Sequence, residues 1–300
     1  MRDLVSMDTI QIEVTNACLH NCSNCTRFCG HIKPYFVNLK WVELCLQSMK
    51  DYPRMVGIMG GEPLLHPQFN EICELAKKYI EPNKLGLWTT LPKGKEKYRE
   101  IICETFGHIF INDHSRDDIY HAPILIASED IVPDHRELMF IADRCWLQNN
   151  WSACMNLRGA WFCEIAGALS ILLDGPMGWQ IEHKWWMRTP LFFREQAEWA
   201  CPKCGVCLPL ARRISTDEVD DISKSNFERL KNISLKIKSG KYILHPDPKL
   251  VQNPEPMAAY KDCNWRQTIA DKFGIYLYQN ELGFQTPILR KEYENAINTG

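Results

Sequence analysis

Short apolar runs alternate with longer amphipathic ones through the first half of the chain. Thr9–Thr15, Met55–Met59, Leu85–Thr89, His108–Asn112, Pro123–Ala127 and Cys145–Gln148 are brief, apolar and rich in β-branched or aromatic residues, which predicts buried strands. Between them, Leu39–Asp51 places Leu39, Val42, Leu46 and Met49 at helical spacing. Gln68–Ile80 and Lys95–Phe106 repeat the pattern, and Asp134–Arg144 is apolar at Leu138, Ile141 and Ala142. Strands alternating with helices imply βαβ units, a parallel sheet and an α/β fold, with six units over residues 9–149. An open sheet and a partial barrel both fit this periodicity.

Beyond Asn150 the pattern changes. Residues 151–163 read as two strands joined by a turn at Arg158-Gly159. A helix is predicted over Glu164–Leu173, ended by Asp174-Gly175-Pro176. A Trp-rich loop, Trp179 to Trp186, leads to a second helix at Pro190–Trp199 and then to the sequence CPKCGVC. Phe227–Lys238 reads as a helix, and residues 244–257, with four prolines, as an extended surface segment. This divides the chain into a main α/β unit (1–149), a small α+β unit (150–210) and a C-terminal extension (211–300).

Composition narrows the field. The chain has 300 residues, 45% hydrophobic and 24% charged, enough for a sizeable core. A net charge of -2 gives no bulk preference for a polyanion, although local basic patches leave nucleic acid open. The first residues lack the apolar core of a signal peptide, and Ile165–Leu173 is too short to cross a membrane, so a soluble, cytoplasmic protein is expected. Fourteen cysteines change the picture most. Four fall between Cys18 and Cys29 and three between Cys201 and Cys207. Clustered thiols in a reducing compartment point to metal ligands rather than disulfides. Cys45, Cys73 and Cys103 are spread through helix-like segments and read as ordinary buried thiols.

Cys18, Cys22 and Cys25 have the spacing C-x3-C-x2-C on a loop at the end of the first predicted strand. In parallel α/β folds sites form at that edge. Three thiolates on a short loop can hold three corners of a [4Fe–4S] cluster, which leaves one iron open. Gly60-Gly61-Glu62-Pro63 follows the second predicted strand, where two glycines permit close backbone approach and the glutamate offers an acceptor. Together these features resemble the radical SAM superfamily. The resemblance implies a partial (β/α)6 barrel, with S-adenosylmethionine chelated at the open iron and its amine near Gly60, Gly61, Glu62 and Pro63. It also implies reductive cleavage to methionine and a 5′-deoxyadenosyl radical, and a ribose contact near Asn112, Asp113 and Ser115. Thr89-Thr90 and Gln148-Asn149 are further lining candidates. The sequence departs from the family at Asn24, where an aromatic residue is frequent.

Cys22-x2-Cys25-x3-Cys29 also echoes part of a ferredoxin run, which would make the protein an electron carrier. The βα units and the GGEP loop favour the first reading, with Cys29 a buried or supporting thiol. A second set, Cys145, Cys163, Cys201 and Cys204, resembles the SPASM or twitch extension of radical SAM enzymes, which implies a second, auxiliary [4Fe–4S] cluster. The hairpin spacing is one residue short of the usual one. Cys207 is an alternative ligand to Cys145, and the CPKC pair also suits half of a zinc site. Cys154 and Cys263 remain unassigned. The tryptophans around His183 and Lys184 read as packing for a small domain.

The expected activity is hydrogen abstraction from a small polar substrate such as a sugar, nucleotide or modified nucleobase. A flavodoxin or ferredoxin would serve as reductant. The first strand begins by Thr9, leaving no room before it for a leader-binding domain, which lowers the reading as a peptide maturase. The readings in other classes are the electron carrier and a zinc-stabilised binding protein. No catalytic side chain is assigned.

Overall fold

The computed structural model describes residues 1–112, 114, 116–149, 153–254, 264–279 and 284–299. Four of the expected strands form where the apolar runs stand: β1 (Thr9–Glu13), β2 (Met55–Met59), β3 (Leu85–Thr89) and β4 (His108–Ile111). They pair in parallel in the order β4-β3-β2-β1. The connections carry α1 (Leu39–Ser48), α2 (Phe69–Tyr79) and α3 (Arg99–Thr105). The Asn38 side chain caps α1 by accepting from the Trp41 N–H. Strand alternation sends Ile10 and Ile12 into the core with Val42, Leu46 and Ile72. It turns Thr9, Gln11 and Glu13, all buried, to the opposite side of the sheet.

The remaining two parallel strands do not form, which corrects the expected six βα units over residues 9–149. After β5 (Tyr120–His121), the run Pro123–Ala127 makes only one bridge, Leu125 to Ile222. Its backbone is satisfied elsewhere: the Ile124 carbonyl accepts from the Gly205 N–H, and the Leu125 carbonyl from Ser223 and Asn226. The run is apolar because Ile124, Leu125 and Ile126 are all buried, in two satellite cores, and not because it enters the sheet. Cys145–Gln148 is likewise a turn of 3-10 helix, Trp146–Asn149, after α4 (His135–Ala142). Short apolar runs report burial more surely than they report conformation.

The hairpin takes the place those strands would have filled. β6 (Cys154–Asn156) and β7 (Gly159–Trp161) are antiparallel, and β6 lies parallel to the free edge of β1, Gln11 opposite Cys154. The sheet is therefore six-stranded and mostly parallel, β4-β3-β2-β1-β6-β7, in agreement with a partial barrel. α5 (Glu164–Leu172) and α6 (Pro190–Ala200) follow. Next come β8 (Arg213–Ile214), β9 (Asp220–Ser223), α7 (Lys224–Leu230), α8 (Leu235–Lys238) and β10 (Tyr242–His245). The single helix expected over Phe227–Lys238 is thus two, broken where the Ser234 side chain caps α8. Part of the proline-rich segment expected to be extended pairs as β10 with β9. α9 (Asn264–Phe273), β11 (Ile275–Gln279), β12 (Gln285–Leu289) and α10 (Arg290–Thr299) close the chain against α3 and β4. No helix among the described residues is long and apolar enough to cross a membrane.

Candidate functional site

The loops that leave β1 and β2 at their C-terminal ends are locked together. The Gly61 N–H donates to the Thr15 carbonyl at 2.8 Å, and the Glu62 N–H to the Ala17 carbonyl at 2.7 Å. A Cβ on Gly60 would stand 2.2 Å from the Thr15 oxygen, and one on Gly61 2.3 Å from the Ala17 oxygen. Only glycine permits this approach. The close contact that the two glycines allow is with the cysteine-bearing loop itself. Glu62 is fully buried, and its carboxylate accepts from the Leu64 N–H (3.0 Å), the Thr89 hydroxyl (2.7 Å) and both the N–H and hydroxyl of Thr90 (2.7 and 2.8 Å). Burial pushes its pKa up, and these donors counter that rise. Thr89 and Thr90 thus fix Glu62, and Pro63 opens a short 3-10 turn behind it. Asn112 follows β4 half-buried, its N–H on the Thr89 carbonyl. Asp113 and Ser115 lie outside the described residues.

On the first loop, Cys22 is buried and Cys18 and Cys25 are partly exposed. Cys29 lies among them. Its thiol donates toward the sulfurs of Cys18 and Cys25, which lowers the pKa of both, that of Cys25 to about 5, and raises its own. Cys22 has no such donor, and burial raises it.

This loop is held from far along the chain. Asn24 is in the left-handed region (φ 50°), which asparagine tolerates better than an aromatic residue does. Its N–H donates to Asp220, its side-chain amide donates to Asp221 at 2.9 Å, and its amide oxygen accepts from the Asp221 N–H. Asp220 also meets His31 at 2.5 Å and Lys236 at 2.8 Å, and Lys236 donates to the Cys22 carbonyl. Burial works against the charge on Asp220, but His31 and Lys236 prevail and hold its pKa below the ordinary aspartate value. Ser23 and His31 are tied by backbone bonds to Ser215 and Leu235. The departure at Asn24 is therefore a docking point for β9.

A second group connects the loop to the hairpin. The Arg27 guanidinium is buried and donates from Nη2 to Gln11 (2.7 Å) and Glu164 (2.8 Å). Its Nε stands 3.7 Å from Glu13 Oε2, and Tyr35 donates to the other Glu13 oxygen. Nothing in the cysteine spacing singles out Arg27, Glu13 or Glu164. A signal exists in the alternation Thr9-Gln11-Glu13-Thr15, which gives β1 one polar face, and in a glutamate opening the apolar helix Glu164–Leu172.

The second cysteine set converges. Cys145, Cys163, Cys201, Cys204 and Cys207 line one small cavity, walled by Phe162, Ile165, Leu169 and Val206. Burial raises all five thiols, Cys163 and Cys207 to about 12. The amides of Ala166 and Ile165, at the start of α5, act against that rise at Cys163. Gln148 lines the same cavity. Cys154 is buried in β6 near Arg27, and Cys263 lies outside the described residues. Among the described residues no three His, Cys, Asp or Glu side chains stand close enough together to hold a single metal ion. Thiols at the corners of a polynuclear cluster stand further apart than the ligands of one ion, and the second set is arranged around a shared cavity. The donor chemistry of each fits an iron–sulfur cluster.

No protein-family model matches the chain, and no curated protein does. Among solved structures, the crystal structure of BtrN in complex with AdoMet and 2-DOIA is similar at a TM-score of 0.44 and 14% identity, over 67% of this chain and 91% of that one.

Proposed function

We propose that the protein is a radical S-adenosylmethionine enzyme acting on a small polar substrate. The observation that carries this reading is the junction of the two motif loops: the Gly60-Gly61-Glu62 segment hydrogen-bonds to Thr15 and Ala17, directly before Cys18, at the ends of adjacent parallel strands. Sites in α/β folds form at that edge. Cys18, Cys22 and Cys25 would hold a [4Fe–4S] cluster with one open iron. When bound, it supplies the electron that cleaves S-adenosylmethionine to methionine and a 5′-deoxyadenosyl radical.

The chain's own residues have definite parts in this reading. Gly60 to Pro63 present backbone to the methionine end of the cofactor, and Thr89 and Thr90 keep the Glu62 carboxylate in place. Asn112 would face the ribose. Cys145, Cys163, Cys201 and Cys204 would hold a second cluster, with Cys207 on the same cavity as the alternative to Cys145. The buried polar groups Gln11, Glu13 and Arg27 between the two sets support a polar substrate, such as a sugar, a nucleotide or a modified nucleobase. A flavodoxin or ferredoxin would supply electrons.

Anaerobic reconstitution tests this directly. About eight irons per chain are expected, four for each cubane, together with 5′-deoxyadenosine on reduction with S-adenosylmethionine. Cys22→Ala should abolish that product and lower the iron to about four per chain. Full iron loading without S-adenosylmethionine cleavage would make the protein an electron carrier instead. Zinc in place of iron at Cys201 to Cys207 would remove the second cluster from the reading.

A further inference from the structure

Residues 231–241 carry four lysines and no acidic residue, on a chain whose formal net charge is -2. One of the four turns inward: Lys236 is buried, and its ammonium meets Asp220 and the Cys22 carbonyl, each at 2.8 Å. Lys231, Lys238 and Lys241 stay at the surface beside two apolar side chains that the core leaves out. Ile233 is 44% exposed and Leu235 45%. The Ser234 cap explains this arrangement, because it starts α8 so that Lys236 and Ile237 face the protein while Leu235 and Lys238 face water.

This patch abuts the first cysteine loop. The Leu235 N–H donates to the His31 carbonyl, which sets α8 against the segment that carries exposed Lys33. Lys231 pairs with Glu228, and Lys241 with Glu218 at 2.7 Å. Lys33 and Lys238 make no ion pair among the described residues. Four surface lysines against two glutamates leave two positive charges in excess. Two apolar side chains within a basic rim offer a small contact, of the size seen in weak, transient redox encounters rather than in permanent interfaces. A partner seated there stands behind the loop that holds Cys22, and opposite charge is what draws it in.

We propose that α8, with Ile233, Lys33, Lys231 and Lys238 around it, is the docking surface for a small acidic electron carrier of the flavodoxin or ferredoxin class. This rests on the reading of Cys18, Cys22 and Cys25 as an iron–sulfur site. The reduced carrier gives up one electron, the oxidised centre takes it, and no bond or proton moves. The lysines set the rate of encounter, and Ile233 and Leu235 hold the encounter together once formed.

The test is stopped-flow reduction of the reconstituted full chain by excess flavodoxin hydroquinone without oxygen, followed by bleaching of the cluster absorbance. Binding of oxidised flavodoxin to the same protein is read in parallel by fluorescence anisotropy. The double variant Lys33→Glu with Lys238→Glu should slow reduction at least about tenfold at low salt and weaken binding in step. Added salt should slow the wild type and leave the variant nearly unchanged. Dithionite should still reduce the variant to the same extent as the wild type. Lys50→Glu, beyond the end of α1 at the opposite edge of the sheet, should leave the flavodoxin rate within about twofold. Should the double variant lose iron, Ile233→Ser decides: a slower flavodoxin reaction with a full dithionite endpoint upholds the docking surface, and an unchanged rate overturns it. Equal flavodoxin rates in wild type and double variant overturn the proposal alone, and loss of affinity for duplex DNA or anionic vesicles in that variant would then reassign the patch. A wild-type centre that dithionite reduces and neither flavodoxin nor an acidic ferredoxin does also overturns the proposal alone. A wild-type chain with no reducible centre overturns it together with the reading beneath it.

Discussion

The first cysteine set sits on one continuous loop whose surroundings are charged, while the second is gathered from three places in the chain around apolar walls. Donors around the first loop lower Cys18 and Cys25, and burial around the second cavity raises every thiol. The contrast separates two ways of holding ligands in place. A contiguous loop has its spacing built in and needs outside groups to fix its shape. Dispersed ligands are placed by the core itself, since Cys163 leads into the buried helix α5 and Cys201 ends α6. Loss of charge should therefore damage the first site, and loss of apolar volume the second.

The largest effect should come from the clamp on the first loop. Asp220→Ala leaves His31 and Lys236 buried without their partner and should cost about 3–5 kcal/mol, read as a lower urea midpoint. A loss under about 1 kcal/mol would show that the clamp behaves like a surface pair and would remove the contrast. On the second site, Leu169→Ala opens a cavity beside the thiols and should cost about 2–5 kcal/mol. That loss should be the same at pH 5 and pH 8, because no titrating group is removed; a loss that changes with pH would merge the two sites into one type.

Asn24→Ala is smaller in scope. It removes two side-chain bonds to β9, one of them to a carboxylate, and should cost about 2 kcal/mol; if the two sites hold iron as proposed, iron should fall at the first only. Equal iron loss at both sites would break the comparison. The smallest effect is on pH. Asp220 is lowered in the folded chain, so its contribution is present above the ordinary aspartate pKa of about 3.9 and is lost only as pH falls through the lower folded value. Acid unfolding should accordingly show a proton uptake below about pH 4 that Asp220→Asn lacks. An unchanged acid limb in that variant would place the titration elsewhere.

Much of this was legible in advance, for identifiable reasons. β1 to β4 are short apolar runs between amphipathic helices, and each found its strand. The hairpin was readable too, although Asn156 pairs with Gly159 and the turn falls at Leu157-Arg158, one residue earlier than the glycine suggested. Pro123–Ala127 misled because its apolar character answers to two satellite cores and its carbonyls to Gly205, Ser223 and Asn226. The second cysteine set was recognisable from its late CPKC pair, yet five thiols meet where four were expected. Asn24 was visible only as a mismatch. Its cause lies at Asp220 and Asp221, and no local pattern couples positions that distant. Arg27 and Glu164 stayed hidden because each looks like an ordinary polar residue beside a cysteine.

The clamp also sets a clock. Asn24 and Asp221 are 197 residues apart, and the Cys22 carbonyl and Lys236 are 214 apart. At ribosomal speeds of about 5–20 residues per second, the first thiols wait about 10–40 s between emergence and the arrival of the residues that fix them. For that interval Cys18, Cys22 and Cys25 are an unbraced string of thiols, open to oxidation or to the wrong metal. If these thiols hold a cluster as proposed, the yield of loaded protein should then depend on oxygen during synthesis more than on oxygen after folding.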